Sequence, residues 1–265
     1  MKRLSLSLKQ VSGVSMLALL LVLAGCKTGK VNSASVKEEQ VKEIMPGILQ
    51  GYLSKEEIPN SLALVPPPPA PGSIAFELDK EFAKKAVESK DTARFHLATR
   101  DANLNFPAAV KSFESTLGIE ISEAKTPKLY RLMRRVLTDA ALSTYAAKDH
   151  YQRSRPFVVN NTPTCSPQDE AMLRKDGSYP SGHTAIGWAW ALVFCEIFPA
   201  KTDAILQRGY AFGESRVICN AHWHSDVETG RVMGAAAVAK LHANAGFQRD
   251  LAAAKEEAAK LGGVR

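Results

Sequence analysis

Several things are scarce in this sequence, and each shortage removes a class of answers. Four cysteines in 265 residues are too few for a disulfide scaffold, and a chain of this length has room for a sizeable core without one. Period-2 alternation of apolar and polar residues is scarce from about Phe76 onward, which argues against a β-rich fold. No internal repeat occurs, and past the N-terminal segment no apolar run is long enough to span a bilayer. Charge of one sign is also in short supply. The formal net charge is +7, but Lys2, Arg3 and Lys9 stand in a leader, and the remainder carries only about +4. With no basic run interleaved with aromatics, that surplus argues against nucleic acid as a partner and leaves small anionic substrates open.

What is present begins with an export signal. Residues 1–25 combine a basic start, an apolar stretch from Val14 to Leu23 and the small residues Ala24 and Gly25. Leu23-Ala24-Gly25-Cys26 resembles the lipobox of bacterial lipoproteins, in which the cysteine is acylated and becomes the mature N-terminus. The reading is therefore a lipoprotein signal at 1–25, a polar tether or peripheral arm at 26–60 and one domain at 61–265. The expected location is periplasmic, on a lipid anchor in the bacterial membrane, with the outer membrane preferred. The run Pro66-Pro67-Pro68-Pro69-Ala70-Pro71-Gly72 forces an extended segment, either a linker or a strap over the domain.

The rest is helical in pattern. Leu129, Leu132, Met133, Val136, Leu137, Ala140, Ala141, Thr144 and Tyr145 recur at three- and four-residue steps, and Lys148 continues the stripe. Thr184 to Phe198 is apolar nearly all round, preceded by Pro180-Ser181-Gly182 and stopped by Pro199, the pattern of a central buried helix. Ile205, Leu206, Gly209, Phe212 and Gly213 form a further stripe that ends in Arg216. Gly230, Gly234 and Ala235 to Ala237 suit a closely packed last helix, and the Ala/Lys/Glu-rich C-terminus reads as a solvated one. The expected fold is all-α, a single helical-bundle domain with its site among loops and helix N-termini.

Cations that end apolar stripes are the first chemical clue, because an unpaired buried charge costs several kcal/mol and needs an anion. Lys148 and Arg216 are two such cations, and Arg155, its direction set by Pro156, is a third. Ser181-Gly182-His183 opens the buried helix, whose free N–H groups and dipole favour an anion, and Gly182 lets an oxyanion approach the backbone. His222 and Asp226 are spaced so that a helical carboxylate reaches one imidazole nitrogen and leaves the other basic.

These residues also fall into a known pattern. Lys148-x6-Arg155-Pro156, Pro180-Ser181-Gly182-His183 and Ser215-Arg216-x5-His222-x3-Asp226 resemble the three-part signature of the type 2 phosphatidic acid phosphatase and vanadium haloperoxidase superfamily, with all eleven specified positions matched in order. Asp176-Gly177-Ser178-Tyr179, Val217-Ile218-Cys219 and the proline strap further resemble bacterial class A non-specific acid phosphatases. Departures are Asn220 and His224, where glycine and glutamine are expected, and the lipobox, where simple secretion is usual. The resemblance implies a metal-independent, cofactor-free acid phosphatase of broad range. His222 is the implied nucleophile, Asp226 its orienter and His183 the general acid and base. Lys148, Arg155, Arg216, Ser181 and Gly182 are the implied phosphate ligands.

Alternatives are a vanadium-dependent haloperoxidase-like protein, a binuclear metallohydrolase suggested by His222-x-His224-x-Asp226, and a non-catalytic phosphate-binding lipoprotein. Small phosphate monoesters are the expected partners, and self-association into a homo-oligomer is left open. His96, His150 and His242 read as ordinary histidines, and Trp188, Trp190 and Phe194 as core. Among Cys165, Cys195 and Cys219 three pairings exist, and Cys165 with Cys219 is preferred, since both lie near motif loops.

The lipobox carries its own prediction. Cys26→Ser is expected to shift the full chain from the detergent phase to the aqueous phase in a phase-partition assay; an unchanged partition would contradict the anchor.

Overall fold

The computed structural model describes residues 41–262. The signal, Cys26 and the first part of the arm lie outside those residues. The described residues open with a small antiparallel hairpin, β1 (Glu43–Met45) and β2 (Ile48–Leu49), turned by Gly47 at φ +80°. Five helices follow: α1 (Ser61–Leu64), α2 (Ile74–Glu88), α3 (Ala93–Asp101), α4 (Ala108–Lys111) and α5 (Glu114–Leu117). Next come α6 (Pro127–Leu142), α7 (Tyr145–Tyr151), α8 (Pro156–Val159) and α9 (Glu170–Leu173). The chain closes with α10 (Gly182–Ile197), α11 (Thr202–Ile218), α12 (His224–Leu241) and α13 (Ala245–Lys260). The hairpin aside, the described fold is all-α, as the sequence pattern predicts.

The apolar α10 lies at the centre and packs against α6, α11 and α12. Its N-cap is Ser181, whose Oγ accepts from Thr184 N at 3.3 Å, and Phe198-Pro199 ends it. Trp190 is fully buried and donates from Nε1 to Met133 O at 2.9 Å, which ties α10 to α6. Small residues set the spacing to α12: a Cβ at Gly230 would lie 2.6 Å from Ser181 O, and one at Gly234 only 2.5 Å from Ala185 O. The helix that carries the third sequence motif is thus pressed onto the N-terminal turn of the helix that carries the second.

Two local features differ from the periodicity. The stripe from Leu129 does not run unbroken to Lys148, because Ser143 and Thr144 separate α6 from α7 and leave Tyr145 exposed. Ser61 closes that break, accepting from Ala147 N at 2.8 Å and donating to Thr144 O at 3.3 Å. The C-terminal α13 is not solvated all round. It buries Phe247, Leu251, Ala254 and Ala258 at three- and four-residue steps and packs on α6, where Glu257 accepts from Lys128 N and Leu129 N at 3.0 and 2.9 Å.

Residues 41–60, read from sequence as part of the arm, lie against the helices in the compact unit that begins at Val41. Thr138 Oγ1 donates to Leu49 O, and buried Asp139 accepts from Tyr52 N at 2.7 Å and Leu53 N at 3.2 Å. Burial lifts the Asp139 pKa to about 6 against those two donors. Further on, Pro66 O accepts from Tyr179 Oη at 2.6 Å, which fixes the start of the proline segment to the domain.

Because backbone on one side and backbone on the other leave no room between α10 and α12, Gly234→Ala is expected to lower unfolding stability by about 1–3 kcal/mol. Chemical denaturation checks this, and wild-type stability in the variant would contradict the packing.

Candidate active site

Lys148 sits in the last turn of α7 and is 3% exposed; Arg155 is the residue before α8 and is 2% exposed; Arg216, near the end of α11, is 1% exposed. These three cations reach one place from three separate elements. Lys148 Nζ meets Asp176 Oδ2 at 3.1 Å and also donates to Gly177 O. Arg155 uses its whole fork: Nε donates to Leu173 O and Asp176 O, Nη2 to Asp176 Oδ2 at 2.9 Å, and Nη1 to Ala221 O at 3.0 Å. Arg216 is poorer in partners. Its Nε is buried without a hydrogen bond, and Nη1 has a 3.9 Å contact to Cys219 Sγ, a weak acceptor. Lys148, Arg155 and Arg216 with one carboxylate, Asp176, leave a formal surplus of +2.

The field is visible in the protonation of its members. Burial, then Arg155, holds the Lys148 ammonium down to about 8 against Asp176, and burial with Arg155 brings Arg216 to about 9. His222 is pushed well below the usual histidine range by burial and then by Arg155, Lys148 and Arg216. Burial and then Arg216 do the same to His183, against the contact with Ala102 O.

His222 lies in the turn between α11 and α12 and is 2% exposed. Its Nε2 is 2.9 Å from Arg155 Nη1, and since a guanidinium only donates, Nε2 carries the lone pair and Nδ1 the proton. Nδ1 lies 3.4 Å from Asp226 Oδ2. The spacing brings the two side chains face to face, but Nδ1 is buried without a hydrogen bond; Trp223 is the N-cap of α12, and Asp226 Oδ2 accepts from Trp223 N at 2.9 Å. His183, in the first turn of α10, has Nε2 3.0 Å from Ala102 O at the end of α3. A carbonyl only accepts, so Nε2 is the protonated nitrogen and Nδ1 is the one left for proton transfer. Ser181 is buried and bonded within the cap, and Gly182 stands beside Lys148, where a Cβ would lie 3.9 Å from Lys148 Cε. The eight predicted phosphate-binding and catalytic positions thus lie on α7, the α8 N-cap, the α10 N-terminus, the end of α11, the turn after it and the first turn of α12.

A cavity of about 710 Å³ opens over His183 and Arg216, with Arg100, Asn103, Lys111 and Met172 among its lining residues. The turn behind Arg216 is fixed by the Cys165–Cys219 disulfide, the pairing preferred from sequence, while Cys195 is a free thiol. Asn220 stands at φ +57°, the left-handed region, which explains why glycine is expected there and how asparagine serves. Its side chain further bonds Asn160 and Thr162 O.

His224 is turned away from His222 and Asp226. Its ring stacks on Phe82 at 4.0 Å, and it shares with Glu214 and Glu228 a cluster that Arg231 already pairs with on both carboxylates. The sequence named Asp176 in a flanking stretch without its role as the shared counter-ion, and it missed Arg153, which pairs with Asp226 at 2.5 Å. Arg153 is legible only as a cation two places before Arg155.

Three buried cations and two histidines around the α10 N-terminus form an arrangement able to bind an oxyanion. Residues 133–248 match the PAP2 superfamily model. The chain is 46% identical over 211 residues to a non-specific acid phosphatase of Providencia stuartii, covering 79% of this chain and 85% of that one. It is 41% identical to a non-specific acid phosphatase of Salmonella typhimurium, with 79% and 84% covered, and 39% identical to an acid phosphatase of Zymomonas mobilis, with 75% of each covered. The chain belongs to the PAP2 superfamily and, within it, to the acid phosphatases, enzymes that hydrolyse phosphate monoesters.

Arg216 supplies a prediction in which function and stability move oppositely. A buried cation with so few partners opposes folding and favours anions. Arg216→Met is expected to raise Tm while weakening inorganic phosphate binding by roughly tenfold or more, the worth of a charge-assisted hydrogen bond. Lower Tm with unchanged phosphate affinity by calorimetry would contradict the assignment.

Proposed function

We propose that the enzyme hydrolyses phosphate monoesters by two in-line displacements through a phosphohistidine, without a metal, over a broad range of leaving groups. The carrying observation is His222 Nε2 facing the donor Nη1 of Arg155 at 2.9 Å in a buried site. In the first step Nε2 bonds to phosphorus, the ester P–O bond breaks, and His183 gives its Nδ1 proton to the departing oxygen. In the second, His183 takes a proton from water, the water oxygen bonds to phosphorus and the N–P bond breaks. Lys148, Arg155, Arg216, Ser181 and the Gly182 N–H hold the equatorial oxygens and oppose the charge that develops there. The same three cations repel a divalent metal ion, and the carboxylate nearest to two of them is already shared between Lys148 and Arg155. Turnover of p-nitrophenyl phosphate that is blocked by vanadate and indifferent to EDTA is the expected result; loss in EDTA with recovery on zinc would favour a metallohydrolase.

The sign of the pH dependence follows from the site. His222 must be neutral, so its limb of the kcat/KM profile rises with pH through a pKa held low by burial and by Arg155. His183 must be protonated, so kcat/KM falls as pH climbs past a pKa that burial and Arg216 also hold low, and in the kcat profile a bound phosphate anion moves that limb up. The product of the two is an optimum below neutral. An optimum above about pH 8, against a free histidine near 6.5, would contradict the two-histidine scheme.

For its location, we propose export to the periplasm and a lipid anchor at Cys26. The Cys165–Cys219 disulfide supports an oxidising compartment.

A further inference from the structure

Two buried carboxylates converge on Arg153, and one of them lies outside every sequence motif. Arg153 Nη1 donates to Asp226 Oδ1 at 2.5 Å, and Nη2 donates to Asp79 Oδ2 at 2.7 Å. Asp79 stands on α2 and is 1% exposed; its Oδ1 accepts from Ser225 N at 2.8 Å and its Oδ2 from Ser225 Oγ at 2.6 Å. The guanidinium of Arg153 also lies 5.4 Å from the ring of Trp223 and 5.8 Å from that of Phe76, and those rings meet edge-on at 5.3 Å. The turn that carries His222 is therefore clamped to α2 by a carboxylate, a guanidinium and an aromatic pair.

Formal charge shows what the second carboxylate adds. Asp226 and Arg153 alone form a neutral pair, which has little to offer a positively charged partner. With Asp79 the group of three carries −1. When His222 Nε2 bonds to phosphorus and the ester oxygen leaves with the proton of His183, the imidazole keeps its Nδ1–H and becomes cationic, facing Asp226. We propose that Asp79 is a positioning residue for phosphoryl transfer: by neutralising Arg153 and holding Ser225, it leaves the charge of Asp226 available to the phosphorylated His222. This inference rests on the phosphohistidine scheme above. The other charged groups facing His222 are Lys148, Arg155 and Arg216 from the cradle, Asp176 between two of them, and His183 across the site. None of these contacts Asp79, so its replacement leaves the phosphate cradle in place.

The test compares Asp79→Asn, Arg153→Gln and the double variant in the full-length enzyme, with kcat, KM and the pH profile on an aryl phosphate. Asp79→Asn is expected to lower kcat by roughly 10- to 100-fold, as loss of a partner that orients a functional imidazole does, with KM changed little. Its acid-side limb of kcat/KM shifts to lower pH, because a negative charge near His222 is lost. Arg153→Gln shifts the same limb to higher pH. The double variant restores a net −1 through Asp226 alone, so its profile and kcat return toward wild type, and it remains informative if the buried Arg153 keeps Asp79→Asn alone from folding. Shifts of the same sign in the single variants, a double variant worse than either, or wild-type kcat in Asp79→Asn would each overturn the inference. Wild-type enzyme that hydrolyses the ester without forming a phosphohistidine would instead overturn the mechanism on which the inference rests.

Discussion

Lys148, Arg155 and Arg216 are buried within one another's field, and the remainder of the site follows from that constraint. Placing three cations together in an interior costs several kcal/mol per uncompensated charge. Asp176 pairs with Lys148 and Arg155, while the carbonyls of Leu173, Asp176, Gly177 and Ala221 take up their remaining donors. Arg216 is left with a sulfur contact and an unbonded Nε. The apolar packing of α10 against α6, α11 and α12 offsets this cost. The same field lowers the proton affinity of His183 and His222. The proposed phosphate affinity and the proposed acid-range histidine chemistry thus have one physical origin.

Elements remote in sequence each hold one part of the cradle. Ser61 closes the break between α6 and α7 and so sets the direction of the turn that ends in Lys148. The end of α3 supplies Ala102 O to His183, and the bond between Cys165 and Cys219 fixes the chain just after Arg216. Buried Asp101 at the end of α3 accepts from Ser215 Oγ at 2.6 Å and pairs with Arg208, which anchors α11 one residue before Arg216. A site made of three short motifs is held in register largely from outside them, by Ser61, Ala102, Asp101 and Cys165.

The difference between motif and support also decides what could be read from sequence. The helices were legible because α6, α10 and α11 carry long apolar stripes, and the grouping of the eight candidate residues was legible because the three motifs hold fixed residue types at fixed spacings. The break at Ser143-Thr144 was not, since periodicity continues through it and the closing hydroxyl comes from Ser61, 83 residues from Thr144. The buried face of α13 was hidden in alanines that propensity alone reads as solvated helix. Asp79, Asp101 and Asp139 look in sequence like surface acids on amphipathic helices. Their burial follows from partners far along the chain: Arg153 and Ser225, Arg208 and Ser215, and the Tyr52 and Leu53 amides.

The central claim is that phosphorus passes through His222 on its way to water, and the stereochemistry of phosphoryl transfer measures this most directly. With an isotopically chiral phosphate ester and an alcohol as acceptor, two in-line displacements invert phosphorus twice. Retention of configuration in the transferred phosphate is the result this account predicts. Inversion, which requires a single direct displacement by the acceptor, would contradict it.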